Sequence, residues 1–275
     1  MIIYKHRICK SMIQKISLVG FLFMLSGGSC FSNGVAQQKS TIGYYLNSNN
    51  NLSPLSYTTT NGGVSWSLSG LLPLPGDVII NVSQNSQLQG LACGHSGLIC
   101  SAVGFYSNNK NNLVPLGYTT VNGGVSWALS GAFLLPGNVA SNGIQNSRLQ
   151  GVACDSTGKI CCAVGFYLNT NNNVAPLSYN TINGGFTWSL SSPFPLPGNV
   201  AANGIQNTRL EDVSCDSTAK FCMAGGFYLT TNNNLVPLSY TTVNGGSTWS
   251  LSTTLPLPPD VAANGIQNSV LLGAG

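Results

Sequence analysis

Apolar and polar positions in this chain fall into short runs, not helical stripes. From about residue 40 onward, stretches of four to eight residues rich in Val, Ile, Leu, Tyr and Thr alternate with clusters of Gly, Asn and Pro. One stretch runs Leu149–Cys154, then a polar Asp155-Ser-Thr-Gly-Lys159, then Ile160–Leu168. The Asn-rich Asn169–Asn173 follows, then Val174–Asn180, and the stretch closes with Thr181–Trp188 and a Pro-rich connector. Four such runs separated by turn formers predict a four-stranded antiparallel meander. Gly, Asn and Pro interrupt every window long enough for a helix.

The pattern repeats. Trp66, Trp127, Trp188 and Trp249 are each 61 residues apart, and their surroundings recur with them. A meander of about 44 residues with a long connection matches a propeller blade. The predicted fold is therefore all-β: a small β-propeller of about four antiparallel four-stranded blades. The ends of the repeat add a second expectation. Val270–Ala274 aligns with the first strand of the unit, whereas Thr41–Tyr45 aligns with the second. Pairing of Val270–Ala274 beside Thr41–Leu46 would close the ring by a C-terminal strand on the N-terminal blade, leaving no long sheet edge open.

Composition narrows the class. Only 6% of the 275 residues are charged, against about 25% in an average soluble domain. Gly, Pro and Asn number 33, 13 and 31, yet 43% of residues are hydrophobic and four are Trp, which argues against disorder. The net charge of +4 comes from the N-terminus, where Lys5, Arg7, Lys10 and Lys15 precede an apolar run from Ile16 to Leu25. That is the layout of a secretory signal peptide. Residues 1–36 are assigned to it, with cleavage after Ala36 or, as the alternative, after Ser29; residues 37–275 form the propeller domain. Cys30 lacks the Leu three residues earlier that a lipidated cysteine calls for. Beyond the leader, six basic residues face six acidic ones. A neutral chain is a poor partner for a phosphate backbone, so nucleic acid is not expected. No later segment is apolar for long enough to span a bilayer.

Six cysteines recur as pairs seven apart: Cys93/Cys100, Cys154/Cys161 and Cys215/Cys222. A hairpin turn at Thr157-Gly158 would set Cys154 opposite Cys161, so the expected bridges are Cys93–Cys100, Cys154–Cys161 and Cys215–Cys222. Zinc is the competing reading, but the spacing is wrong and each blade would need two further ligands. Disulfides imply a secreted or periplasmic protein. Cys162 is left over and is read as a small buried apolar residue. No metal and no cofactor are expected.

The segment around each Trp resembles the Asp-box, or BNR repeat: Ser or Thr, any residue, Asp, any residue, Gly, any residue, Thr, then Trp or Phe. Thr242, Asn244, Gly246 and Trp249 occupy its places, with Asn where the motif has Asp. Thr59, Asn61, Gly63 and Trp66 repeat this, as do Thr120, Asn122, Gly124 and Trp127, and Thr181, Asn183, Gly185 and Trp188. Four matches at constant spacing make the resemblance strong, and it covers essentially all of residues 37–275. Families that carry the motif are β-propellers and include bacterial sialidases, sortilin-type receptors and the Ycf48-like photosystem II assembly factors. The repeated Asn-Gly-Gly turn looks most similar to the Ycf48-like group. The resemblance implies a structural box, on the outside of the ring and away from any active site.

A sialidase reading fails on inventory. The resemblance would require three Arg, a Tyr nucleophile with a Glu partner, and an Asp acid/base. Residues 37–275 contain two Arg, Arg148 and Arg209, at equivalent repeat positions where other units carry Gln87 and Val270. Glu211 is the only Glu, and Glu211 and Asp212, as adjacent strand residues, should face opposite ways. Asp155 and Asp216 fall in hairpin turns, and Asp77 and Asp260 in connectors. His95 sits in the first hairpin turn with no triad partner in view. The expectation is an exported, non-enzymatic binding or scaffold module for a protein or glycan; the alternative is a sialidase-like glycoside hydrolase with an atypical site. Candidate ligand contacts are the Asn-rich turns, represented by Asn171, Asn172 and Asn173 and by Asn232, Asn233 and Asn234, whose amides can both donate to and accept from sugar hydroxyls. The same turns also read as plain soluble hairpin tips.

Overall fold

The computed structural model describes residues 38–79, 84–140, 145–201, 206–261 and 269–274. The leader assigned to residues 1–36, with Cys30, lies outside the described residues. Among the described residues, fifteen strands form four antiparallel sheets, one per repeat, each a meander in chain order. The first sheet holds β1 (Lys39–Leu46), β2 (Leu52–Thr59) and β3 (Ser67–Leu68). The second holds β4 (Ser86–Cys93), β5 (Cys100–Ser107), β6 (Leu113–Thr120) and β7 (Ala128–Leu129). The third holds β8 (Arg148–Cys154), β9 (Cys161–Leu168), β10 (Val174–Thr181) and β11 (Ser189–Leu190). The fourth holds β12 (Thr208–Cys215), β13 (Cys222–Leu229), β14 (Leu235–Thr242) and β15 (Ser250–Leu251). The expected all-β, four-bladed architecture is present.

The last strand of each blade is only two residues long. The Trp turn takes up the residues before it, and proline soon follows, which has no N–H to give a ladder. The middle strands are the reverse case. β5 and β9 are buried along most of their length on both faces, because each blade is sandwiched between neighbours. Such strands read as continuous apolar runs instead of an alternation.

Blades stack through their first strands. β4 packs on β1 and β2, β8 on β4, β5 and β6, and β12 on β8, β9 and β10. The apolar core accordingly divides into three clusters, one per blade interface: Ile42 meets Leu116, Tyr118 and Trp127; Val103 meets Leu177, Tyr179 and Trp188; Cys162 and Val164 meet Leu238, Tyr240 and Trp249.

Ring closure is not seen. Among the described residues, the ladder of β1 is with β2 alone. The segment 269–274 lies against the fourth blade instead: Ser269 N donates to Leu235 O (3.0 Å), Leu271 N to Gly226 O (3.3 Å) and Ala274 N to Asp212 Oδ2 (3.0 Å). The first of these repeats the bond from Ser147 N to Leu113 O (2.9 Å) at the start of β8. The segment thus follows its own repeat rule, stacking on the blade before it, and among the described residues no ladder joins it to Thr41–Leu46.

Candidate functional site

The Trp-centred turns come first because they carry most of the repeated polar residues. In the second blade, Asn122 Oδ1 accepts from Ser126 N (3.0 Å) and from the Thr120 hydroxyl (2.8 Å), while Asn122 Nδ2 donates to Ser126 Oγ (2.8 Å). Thr120 Oγ1 accepts from Gly124 N (3.0 Å). Asn61, Asn183 and Asn244 make the same set. Gly124, Gly185 and Gly246 take positive φ of 83°, 87° and 80°, a conformation that side chains resist. All of these groups are spent inside the turn.

The turns also join blades. Thr58 Oγ1 and Ser40 Oγ donate to Gly123 O (2.7 and 2.8 Å), and Trp127 Nε1 donates to Ser56 Oγ (3.0 Å). One interface further on, Ser101 Oγ donates to Gly184 O (3.1 Å), as does the Thr119 hydroxyl, and Ser130 Oγ donates to Gly185 O (2.5 Å). At the third interface Cys162 Sγ lies 3.1 Å from Gly245 O and Trp249 Nε1 donates to Ser178 Oγ (3.2 Å). Each turn therefore plugs into the blade before it. These acceptor and donor residues were missed in sequence, although Ser56, Ser178 and Ser239 fall on the 61-residue register, with Gly117 at the remaining place.

The three expected cysteine pairs are bonded, Cys93–Cys100, Cys154–Cys161 and Cys215–Cys222, each between directly opposite strand ends. Cys162 is free and buried, and burial pushes its thiol up to about 12. Its sulfur and those of Cys215 and Cys222 lie within 4.8 Å of one another. Two of the three are joined to each other, which leaves one thiol and no ligand set.

The Asn-rich tips are built for their own geometry. Asn169 Oδ1 accepts from Asn171 N (2.9 Å) and Asn173 N (3.0 Å), and Asn172 and Asn233 have positive φ. Asn173 is buried and its Oδ1 accepts from Gln206 N (3.2 Å), so it is not open to a ligand. Asn171, Asn172, Asn232 and Asn233 are exposed, and Asn234 is half-buried. His95 is exposed in its hairpin, where its backbone N–H donates to Ser156 O (2.6 Å). Asp77 receives the hydroxyl of Tyr106 (2.7 Å), and Asn138 and Asn199 receive those of Tyr167 and Tyr228 (3.0 and 2.9 Å). Tyr118, Tyr179 and Tyr240 are fully buried and donate to carbonyls of Pro73, Leu134 and Pro195, and burial raises their ionisation well above the ordinary phenol range. They are anchors.

One charged cluster remains, on the first strands where the blades converge. Arg148 stands opposite Phe166 across β8–β9 and Arg209 opposite Phe227 across β12–β13. The Arg148 guanidinium lies 4.4 Å over Phe105 of the second blade, and that of Arg209 lies 4.7 Å over Phe166 of the third and 5.8 Å from Phe227. Rings and guanidiniums thus alternate across three blades. Nε of each arginine is fixed by an Asn two residues earlier: Arg148 to Asn146 Oδ1 and Arg209 to Asn207 Oδ1, both 2.7 Å. Among the described residues these are the hydrogen bonds the two guanidiniums make. Burial, and then repulsion from Arg209, lowers the Arg148 pKa. Arranging two like charges this way costs energy unless something offsets it. Glu211 shares the region: burial raises its pKa, and the charge of Arg209 works against that.

The position of Glu211 corrects the sequence expectation. A register shift between Leu210 and Asp212 leaves Glu211 outside the ladder, and the same irregularity occurs at Leu88/Gly90 and Leu149/Gly151. Strict alternation does not apply at a β-bulge. Asp212 is engaged elsewhere, accepting from Val213 N (2.8 Å) and Ala274 N. The arginine–phenylalanine ladder was only half legible: the equivalence of Arg148 and Arg209 was plain, and Phe105, Phe166 and Phe227 recur at the same 61-residue spacing.

Together the sheets and their interlocking turns define a four-bladed, all-β protein of propeller type. No protein-family model matches the chain, and comparison with curated proteins finds no match. Solved structures similar to it include a Trypanosoma rangeli sialidase in complex with sialic acid, 12% identical over 80% of this chain and 36% of that one, with a TM-score of 0.47. A Fusarium graminearum α-L-arabinofuranosidase mutant bound to an iminosugar inhibitor is 11% identical over 79% and 66% of the two chains, with a TM-score of 0.48. A Hadza microbial sialidase is 8% identical over 80% and 47%, with a TM-score of 0.46. The chain spans between about a third and two thirds of the length of these structures.

Proposed function

We propose that the protein is an exported, non-enzymatic binding module that engages a protein or glycan partner through the inner strands, at Arg148 and Arg209. The supporting observation is the ladder itself: two guanidiniums clamped on aromatic rings, each fixed through Nε, with Nη groups left to donate to a ligand carboxylate or a cluster of hydroxyls. Export rests on the leader pattern and on the three disulfides, which persist in oxidising compartments. Among the described residues no helix is long and apolar enough to cross a membrane. The non-enzymatic reading rests on the carboxylate inventory: Glu211 is the only Glu of residues 37–275, and its neighbour Asp212 is engaged by Val213 N and Ala274 N.

The test joins binding to turnover. The purified protein is screened against an array of neutral and acidic glycans, and the Arg148→Gln, Arg209→Gln double variant is screened beside it. Retention of an acidic ligand that is lost in the double variant, with no release of fluorophore from a sialoside at any pH, supports the reading. Turnover by the pure protein overturns the non-enzymatic part; binding that ignores the double substitution overturns the site.

A further inference from the structure

The three blade interfaces use one lock, and both halves of that lock stand open at the outer blades. At the inner interfaces the Trp is covered: Trp127, Trp188 and Trp249 are 6%, 7% and 5% exposed. Trp66 is 45% exposed, with Val64, Leu68 and Leu71 exposed beside it. The turn glycine tells the same story. Its Cβ direction at Gly124, Gly185 and Gly246 runs into Ser40, Ser101 and Cys162 of the blade before, whereas at Gly63 it meets only Trp66 of its own turn. The plug of the first blade has no socket among the described residues.

The socket is at the other end. Ser101 and Cys162 are fully buried beneath the next turn, whereas their equivalent Met223 is 40% exposed. Thr119 is buried and its equivalent Thr241 is exposed. An open cleft of about 400 Å³ lies there, lined by Phe221, Met223 and Thr241 among others. Those three match Ile99, Ser101 and Thr119 of the second blade, which contact the Gly184–Gly185 turn of the third. The polar partners are also present: Ser239 stands where Ser56 and Ser178 accept a Trp N–H, and Ser252 where Ser130 and Ser191 donate to a turn carbonyl.

We propose that the Trp66 turn of one copy docks into the fourth-blade cleft of a second copy, head to tail. The occupant is a second copy because plug and cleft belong to the same chain, match three interfaces already formed within it, and among the described residues no strand of the first blade packs closely on the fourth. Trp66 Nε1 would donate to Ser239 Oγ, and Thr241 Oγ1 and Ser252 Oγ to the Gly62 and Gly63 carbonyls. Segment 269–274, which crosses the fourth blade as β8 crosses the second, would then meet the open side of β1 in the neighbouring copy. A plug and a cleft on different faces make a heterologous contact, which closes into a ring or extends into a filament.

The experiment is sedimentation of the full-length protein and two single variants, Trp66→Ala and Met223→Arg, with Thr241→Arg held as a second cleft variant should Met223→Arg melt early. The expected result is a concentration-dependent mass at least twice that of the monomer for the wild type, and monomers with unchanged melting for both variants. Mixed at high concentration, the two variants should form a one-to-one dimer and stop there, since one plug and one cleft remain. A wild type that stays monomeric, with Trp66 either quenched freely or shielded within its own chain, overturns the proposal. So do variants that associate like the wild type, or a mixture that does not pair.

Discussion

The indole N–H of Trp188 points into the second blade at the place where Gly117 has no side chain to receive it. Trp127 and Trp249 reach Ser56 and Ser178 at the equivalent positions, whereas among the described residues Trp188 Nε1 is buried without a partner. Gly117→Ser should supply the missing acceptor and stabilise the protein by about 1 kcal/mol. A Cβ at Gly117 would come 2.9 Å from Phe133 Cζ and from Ser130 Oγ, so the gain requires both to shift slightly while Ser130 keeps its bond to Gly185 O, as Ser191 does beside Ser178. Phe194 tolerates Ser178 in the same arrangement, stacking on Trp249 with ring centroids 5.7 Å apart. Urea unfolding of the two forms checks this; a lower midpoint in the variant means that the ring does not give way.

Replacing the turn asparagine separates its two roles. Asn122→Ala removes the acceptor for Ser126 N and should cost about 1–2 kcal/mol. Asn122→Asp keeps that acceptor, and Ser126 can turn its hydroxyl to donate, so the change should stay within about 0.5 kcal/mol. Equal losses in both variants would mean that the amide N–H, which Asp lacks, carries the turn.

Cys162 should be silent in the folded protein. With its thiol pushed up to about 12 by burial, almost no thiolate exists at neutral pH, and the thiolate is the reactive form. Iodoacetamide followed by peptide mapping should leave Cys162 unmodified until denaturant is added, and the non-reducing map should show the three bridges in place. Rapid labelling of Cys162 in native protein would contradict the buried setting.

Glu211 gives a signed pH effect. Its pKa is raised on folding, so the folded state favours the protonated acid. The stability linked to it is present below the unfolded carboxylate value and is lost as pH rises through the folded pKa. Glu211→Gln should therefore flatten the fall in stability from mildly acidic to neutral pH and raise the melting temperature at neutral pH. Thermal scans across that range decide it: a variant that parallels the wild type would show that Glu211 is well solvated in both states.

Strand order, blade number and the cysteine pairs could be read from the chain because each depends on local spacing. A period of 61 residues sets where a meander begins again, and seven residues between cysteines set a hairpin partner across one turn. The roles of Thr120 and Asn122 within their turn were equally local, with donors and acceptors two to four residues apart. The site was harder. Arg148 finds Phe105, 43 residues earlier on the preceding blade, and the bulge that displaces Glu211 shows only as two polar residues between Leu210 and Val213 where alternation allows one.

The sequence alone determined that this is an all-β repeat protein, with four blades and three bridged hairpins, because strands and turns answer to neighbours a few residues away. Tertiary structure alone decided what lies between blades: that Ser56 receives Trp127 while Gly117 fails Trp188, that the two arginines come close enough to repel, and that residues 269–274 stack on the fourth blade and not on β1. Similar repeats carry similar local instructions. Which copy of a surface is covered and which is left open depends on whether another blade lies against it, and no residue within the unit records that.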